Sequence, residues 1–272
     1  MRVDVGGVGI SFEVAGLDNG SPVILLHGFP DSGRLWRNQV PALTGAGFRV
    51  IVPDLRGAGR SDKPADVDAY RIPLLVGDVL AVLDSLGIGR ANVVGHDWGA
   101  ALAWGLAMGV PDRVERLVVL SVGHPAAFSS AGIAQKEKSW YTFLFQYKGV
   151  AEAWLSGNNW AGFRELLDHP DTDGVIADIE RDGSLTSALN WYRANFSPEQ
   201  LTAPPQELPT VRTPTMGVWS SGDRFLLEQQ IAGSAPFMAG PWRYERIEHA
   251  SHWMQIDAAD TVSGLLVDFL SP

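Results

Sequence analysis

The chain has 272 residues, of which 46 % are apolar, and a mean hydropathy of +0.02, enough for the core of one sizeable α/β domain carrying an insertion. Acidic residues outnumber basic ones 31 to 21, giving a formal charge of −10 and a pI near 5.0, a balance that argues against nucleic acid or an anionic membrane as partner. The absence of cysteine excludes disulfides, thiolate catalysis and Cys-ligated metal, no apolar run approaches the ~20 residues of a spanning helix, and MRVDVGGVGI lacks the apolar stretch of a signal peptide, so a soluble cytoplasmic protein is expected.

In chain order, Val3–Val5 and Val8–Val14 alternate around Gly6-Gly7 and predict a β-hairpin. The apolar run Pro22–Leu26 predicts a central parallel strand, with His27-Gly28-Phe29-Pro30 directly after it. Asp31–Leu43 reads as a helix carrying Leu35, Val40 and Leu43, and Arg49–Pro53 as the next strand. Asp54–Pro64 is glycine-rich but lacks the Gly-Lys-Ser/Thr ending of a phosphate loop, and reads as plain connection. Leu74–Leu86 predicts an amphipathic helix ended by Gly87, Val93-Val94 the end of a buried strand, Ala100–Met108 a helix, and Leu117–Val122 another buried strand.

After about Pro125 the texture changes. As far as about Leu208 no valine-rich run appears, and Trp140, Trp154, Trp160 and Trp191 fall among helical spacings. Ser184 reads as an N-cap opening a helix to Phe196, in which Leu185, Leu189, Tyr192 and Phe196 share one face. Pro204-Pro205 and Pro209 mark the exit, strands resume at Thr215–Trp219 and Arg243–Ile247, and Val262–Leu270 is the last helix. Strands alternating with helices predict a mostly parallel, doubly wound sheet. Its core is expected to span 1–125 and 209–272, interrupted by a helical cap over 126–208.

The chemistry centres on Gly95-His96-Asp97-Trp98-Gly99, between a strand end and a helix start. Glycines two residues either side of an exposed central side chain are the pattern of a nucleophile elbow, a turn so tight that a Cβ at either glycine would clash. The helix N-terminus there favours an ionised carboxylate, the form in which Asp97 would attack. On these residues alone an ordinary turn with Asp as N-cap fits equally well. A carboxylate nucleophile leaves an ester, whose hydrolysis calls for a histidine to activate water and a second carboxylate to orient that histidine. His252, in Ala250-Ser251-His252-Trp253, follows the last predicted strand, and Asp223, in Ser221-Gly222-Asp223, follows the Thr215 strand, so nucleophile, acid and histidine occur in hydrolase order. The other position for the acid holds Gly123-His124-Pro125, without a carboxylate. His27, His124, His169 and His249 read as structural or solvated and His96 as a neighbour of the site, and no His/Asp/Glu set has metal-ligand spacing.

With these segments the chain resembles the α/β-hydrolase-fold epoxide hydrolases, the soluble epoxide hydrolase group, over nearly its whole length. The resemblance rests on His27–Pro30, Gly95–Gly99, Asn190-Trp191-Tyr192-Arg193 and Ser251-His252-Trp253-Met254-Gln255, and on Tyr141 in a Tyr-x-x-x-Phe-Gln context. Ser251 departs from the commoner glycine, and the cap looks shorter than in larger members. The resemblance implies two cap tyrosines, Tyr141 and Tyr192, over the nucleophile, and Phe29 as a second oxyanion donor beside Trp98, whose amide follows the nucleophile. Phenols of pKa ~10 suit the task, because they hydrogen-bond an epoxide oxygen and protonate it as charge develops. The expected reaction turns a small hydrophobic epoxide and water into a vicinal diol without cofactor or metal, with Phe29, Trp98 and Trp191 lining the substrate site in a monomer or homodimer. The alternative is a haloalkane dehalogenase with the same Asp-His-Asp set, in which the Trp98 indole and a cap tryptophan such as Trp140 would bind halide. A ligand-binding fold without turnover would have no need of the complete set.

Overall fold

A computed structural model describes residues 1–197 and 207–271. Its organising element is an eight-stranded sheet of β1 (Arg2–Val5), β2 (Val8–Ala15), β3 (Ser21–Leu26), β4 (Phe48–Pro53), β5 (Ala91–His96), β6 (Val114–Leu120), β7 (Thr215–Ser220) and β8 (Trp242–Ile247), in the order β1-β2-β4-β3-β5-β6-β7-β8. The first hairpin turns at Gly6 and Gly7, both at positive φ, and pairs antiparallel with β4; every later pairing is parallel. β3, β5 and β6 are Val/Leu-rich and buried on both faces, as strands covered on two sides must be.

Helices α1 (Gln39–Gly45), α2 (Ile72–Ser85), α3 (Trp98–Gly109) and α12 (Ala259–Leu270) accompany the sheet. Between β6 and β7 the described chain is helical, with α4 (Pro125–Ser130), α5 (Gly132–Lys138), α6 (Tyr141–Leu144), α7 (Val150–Leu167), α8 (Thr172–Asp182) and α9 (Leu185–Asn195). Two short helices, α10 (Glu228–Ala232) and α11 (Met254–Asp257), follow β7 and β8. The helix α7 is broken by non-helical backbone at Gly157–Trp160. No helix among the described residues is long and apolar enough to cross a membrane.

Two local expectations are corrected. Asp31–Leu43 is not one helix: a 3₁₀ turn over Gly33–Asn38 precedes α1. Pro41 supplies the reason, since it has no N–H to donate and its ring crowds the carbonyl four residues back. Ser184 precedes α9, but its side chain makes no capping bond; instead its carbonyl accepts the Ser187 hydroxyl. The expected exit at Pro204-Pro205 lies outside the described residues.

The parallel arrangement sends the C-terminal ends of β3, β5, β7 and β8 to the same edge of the sheet. The loops that leave those ends carry Phe29, Asp97, Asp223 and His252 respectively. This edge is where ligands bind in open α/β sheets.

Candidate active site

Asp97 sits between β5 and α3 at φ 52° and ψ −121°, outside the ordinary helical and extended regions. The neighbouring glycines make that turn possible. A Cβ on Gly95 would run into the backbone of Gly99, and one on Gly99 into the Leu26 carbonyl. Gly28 leaves room for the Asp97 side chain itself. The Asp97 carboxylate is 15 % exposed. Its Oδ1 accepts the Phe29 N–H at 2.8 Å, and the Trp98 N–H also bears on it. Burial pushes the Asp97 pKa up, opposed by the charge of His252 and by these two amides.

The His27 ring holds the Phe29 loop in place. Its Nε2 accepts the Leu55 N–H at 2.9 Å, which puts the ring proton on Nδ1, donating to the Gly28 carbonyl at 3.0 Å. This buttress makes a structural role for His27 explicit. Burial lowers the pKa of His96 to about 3. As a neutral ring it donates from Nε2 to the His252 carbonyl at 3.0 Å, fixing the loop that bears His252.

The expected Asp223–His252 pair is present. Asp223 Oδ2 lies 2.8 Å from His252 Nδ1, while its Oδ1 accepts the N–H groups of Phe225 and Leu226 at 2.8 and 2.9 Å. Those donors fix the carboxylate face, and with it the imidazole tautomer: in the neutral ring the proton sits on Nδ1 and the Nε2 lone pair looks toward Asp97. His252 Nε2 is 3.8 Å from Asp97 Oδ2, too far for a direct hydrogen bond. Burial alone would lower the His252 pKa, but the carboxylates of Asp223 and Asp97 outweigh it and the net shift is upward.

The two tyrosines come from separate helices and meet over this pair. Tyr141 opens α6 and Tyr192 lies in α9, with both rings buried and centroids 6.0 Å apart. Burial, followed by the negative charge of Asp97, raises both phenol pKa values, so both stay protonated and able to donate. The Tyr192 ring is gripped edge-on by Phe29 at 5.3 Å, Trp98 at 5.1 Å and Phe145 at 5.0 Å. Trp191 anchors α9 to the loop after β4 by donating its indole N–H to the Arg56 carbonyl at 2.9 Å. That loop is therefore more than connection: its Gly57 carbonyl also accepts the Ser187 hydroxyl, and Arg56 forms a buried ion pair with Asp78. A cleft lined by Phe29, Trp98, Ala188 and Trp191 runs between α9 and the strand ends.

Two cap tryptophans lie elsewhere. Trp140 is 49 % and Trp154 41 % exposed, so neither is enclosed with Asp97, and Trp140 is not placed to bind halide beside Trp98. Sequence reasoning also missed Asp31. This buried carboxylate accepts the Trp253 indole N–H at 2.9 Å and lies 3.4 Å from His169 Nε2. It ties the Phe29 loop, the residue after His252 and the turn before α8 together. An acid directly after Phe29-Pro30 is visible in the sequence, but nothing local separates it from a solvated loop carboxylate.

A carboxylate beside two amides, a histidine with its lone pair free and two phenol donors opposite can attack an electrophilic carbon, protonate its leaving oxygen and then hydrolyse the resulting ester. Residues 21–259 match the family described as alpha/beta hydrolase fold. Epoxide hydrolase A of Mycobacterium tuberculosis is 32 % identical, aligning over 99 % of this chain and 96 % of its own. Among solved structures, an epoxide hydrolase from metagenomes of hot environments superposes with a TM-score of 0.89 at 31 % identity, covering 100 % of this chain and 98 % of that one. A mutant of the Bacillus megaterium epoxide hydrolase, complexed with its naphthyloxy-propanediol product, gives 0.88 at 28 % identity and 99 % coverage of both chains.

Proposed function

The chain belongs to the epoxide hydrolases of the α/β-hydrolase fold, and from that premise we propose that it converts a hydrophobic epoxide and water to a vicinal diol through an ester on Asp97. The observation that carries this reading is the pair of buried, protonated phenols, Tyr141 and Tyr192, over a carboxylate held by backbone amides. Opening an epoxide generates an alkoxide, and two donors on the developing charge are what that step needs.

In the first step an Asp97 oxygen forms a bond to a ring carbon as the carbon–oxygen bond of the epoxide breaks. Tyr141 or Tyr192 delivers the proton, leaving a hydroxyalkyl ester and a tyrosinate stabilised by the other phenol. In the second step His252 Nε2 removes a proton from water, which attacks the Asp97 carboxyl carbon. The oxyanion is received by the N–H groups of Phe29 and Trp98, and Asp223 stabilises the imidazolium. Collapse expels the diol oxygen as an alkoxide that takes the proton held by His252, and the second proton of the attacking water, released as the Asp97 carboxyl ionises again, returns to the tyrosinate by way of solvent or product. The helices α4 to α9, described between residues 125 and 195, act as the cap that brings the tyrosines over the core. The aromatic lining of Phe29, Trp98 and Trp191 favours an apolar or aryl substituent on the epoxide, in keeping with the aryl diol held by the Bacillus megaterium relative.

The test is a panel of alkyl and aryl epoxides read out as diol, with a panel of haloalkanes read out as halide. Diol without halide is expected. Halide release without diol formation would replace this reading with dehalogenation.

A further inference from the structure

Of the large hydrophobic residues exposed among the described residues, six fall between positions 133 and 154: Ile133, Trp140, Phe143, Tyr147, Val150 and Trp154, each between 41 % and 71 % exposed. Their spacing is not that of scattered surface residues. From Trp140 onward they recur every three or four positions, spread over α6, the turns that follow it and the first turn of α7, which is entered through Gly149 at φ 81°. The segment is a succession of short helices and turns closed by local bonds: Ser139 N–H donates to the Gln135 carbonyl, Phe143 to Trp140, Tyr147 to Leu144 and Ala151 to Tyr147. The opposite side of the same turns supplies buried Tyr141, Phe145, Ala151 and Leu155. The segment therefore has an inner apolar face that builds the active site and an outer apolar face that the fold leaves bare, where isolated exposed hydrophobes need no explanation but a run of this length does.

The chain's lysines gather on the same segment. There are four in the sequence, Lys63, Lys136, Lys138 and Lys148, and three lie in 136–148. Lys136 and Lys148 are exposed, and Lys138 reaches the backbone carbonyls of Asp223 and Arg224. The acidic residues among them are Glu137 and Glu152, and Glu152 is paired with Arg193. A net charge of −10 argues against an anionic partner for the molecule as a whole, but this face is cationic and aromatic. Tryptophan, tyrosine and lysine on an apolar face form the composition that settles at the headgroup level of a bilayer.

We infer that residues 133–154 form a peripheral docking face for anionic lipid bilayers, with Trp140, Phe143, Tyr147 and Trp154 entering the interface and Lys136 and Lys148 meeting headgroup charge. The acidic remainder of the chain is repelled by the same surface and orients the molecule with this face down. Charge separates this occupant from a second copy of the chain: a two-fold dimer through this face would bring like lysines toward one another. Because the inner side of these turns carries Tyr141, docking sets the active site next to the phase into which apolar epoxides partition. The docking itself does not rest on the epoxide reading.

The test is co-sedimentation of the full chain with vesicles of phosphatidylcholine alone or mixed equally with phosphatidylglycerol, beside sedimentation velocity without lipid. Binding to the anionic vesicles, weakened by salt, is expected. The Lys136→Glu, Lys148→Glu double variant should lower the bound fraction roughly tenfold or more, and Tyr147→Ser with Trp154→Ser should abolish binding while diol formation from a water-soluble epoxide persists. Absence of binding to anionic vesicles, or binding that survives both sets of substitutions, overturns the proposal. Self-association of the wild type that these substitutions abolish, without lipid binding, overturns it in favour of a second copy. A loss of diol formation in every variant and the wild type would refute the epoxide reading and leave the lipid result standing.

Discussion

Replacing Asp223 by asparagine should separate the two chemical steps. Asp223 Oδ1 is fixed by the N–H groups of Phe225 and Leu226, so the asparagine carbonyl takes that position and its NH₂ turns to His252 Nδ1, 2.8 Å from the replaced oxygen. The amide donates there, which forces the imidazole proton onto Nε2. A ring protonated at Nε2 has no lone pair facing Asp97 and cannot accept a proton from water. Tautomer inversion of this kind costs a triad about 10⁴-fold, about 5.4 kcal/mol of barrier. Ring opening needs only the Asp97 carboxylate and the phenols, so its rate should stay within about tenfold of wild type, reflecting the loss of one nearby charge. The assay is rapid quench under single-turnover conditions with intact-mass detection: the variant should accumulate an adduct of one substrate mass, mapping to the peptide that contains Asp97. Steady turnover at the wild-type rate, or a variant in which no adduct forms and both steps collapse together, would refute the reasoning.

Tyr141→Phe and Tyr192→Phe should each slow ring opening and leave residual activity through the remaining phenol. The double variant should lose the ~10²–10⁴-fold worth of general-acid catalysis or more, and single-turnover alkylation near the wild-type rate in that double variant would remove both residues from the mechanism. Ester hydrolysis should fall with decreasing pH, because neutral His252 is required and its pKa lies above the ordinary imidazole value in the free enzyme. Esterification removes the Asp97 charge, one of the causes of that rise, so the limb for ester hydrolysis should lie at lower pH than the His252 titration of free enzyme followed by NMR; an ester whose breakdown is flat between about pH 5 and 8 would exclude His252 as the base. Gly99→Ala drives a Cβ into the Leu26 carbonyl and should cost on the order of 1–3 kcal/mol or more of stability as overpacking, read as a drop in the denaturation midpoint; an unchanged midpoint would contradict the steric account of the elbow.

The parallel strands were legible because burial on both faces leaves an unbroken apolar signature, as in Pro22–Leu26, and the elbow because its glycines are demanded by backbone clashes that any sequence must respect. Asp223 and His252 were legible by their order and by the strands they follow. Tyr141 was not legible from local pattern: it opens a helix of one turn, and only the resemblance singled it out. What escaped are effects that depend on tertiary contact. Asp31 is informative only once Trp253 and His169 are folded against it. The loop after β4 looked like plain connection because its carbonyls at Arg56 and Gly57 acquire partners from α9, more than 100 residues away. Trp140, offered as a halide donor in the dehalogenase alternative, lies half exposed; helical spacing gives a face without saying which side the core lies on.

The central claim, that Asp97 forms an ester rather than acting as a base toward water, is tested most directly by isotope. Enzyme in excess over epoxide is allowed one turnover in ¹⁸O-water. On the ester route the substrate carbon keeps the Asp97 oxygen and water attacks the carboxyl carbon, so the first diol should carry little label and the peptide containing Asp97 should acquire it. A diol labelled in that first turnover, with Asp97 unlabelled, would contradict the account.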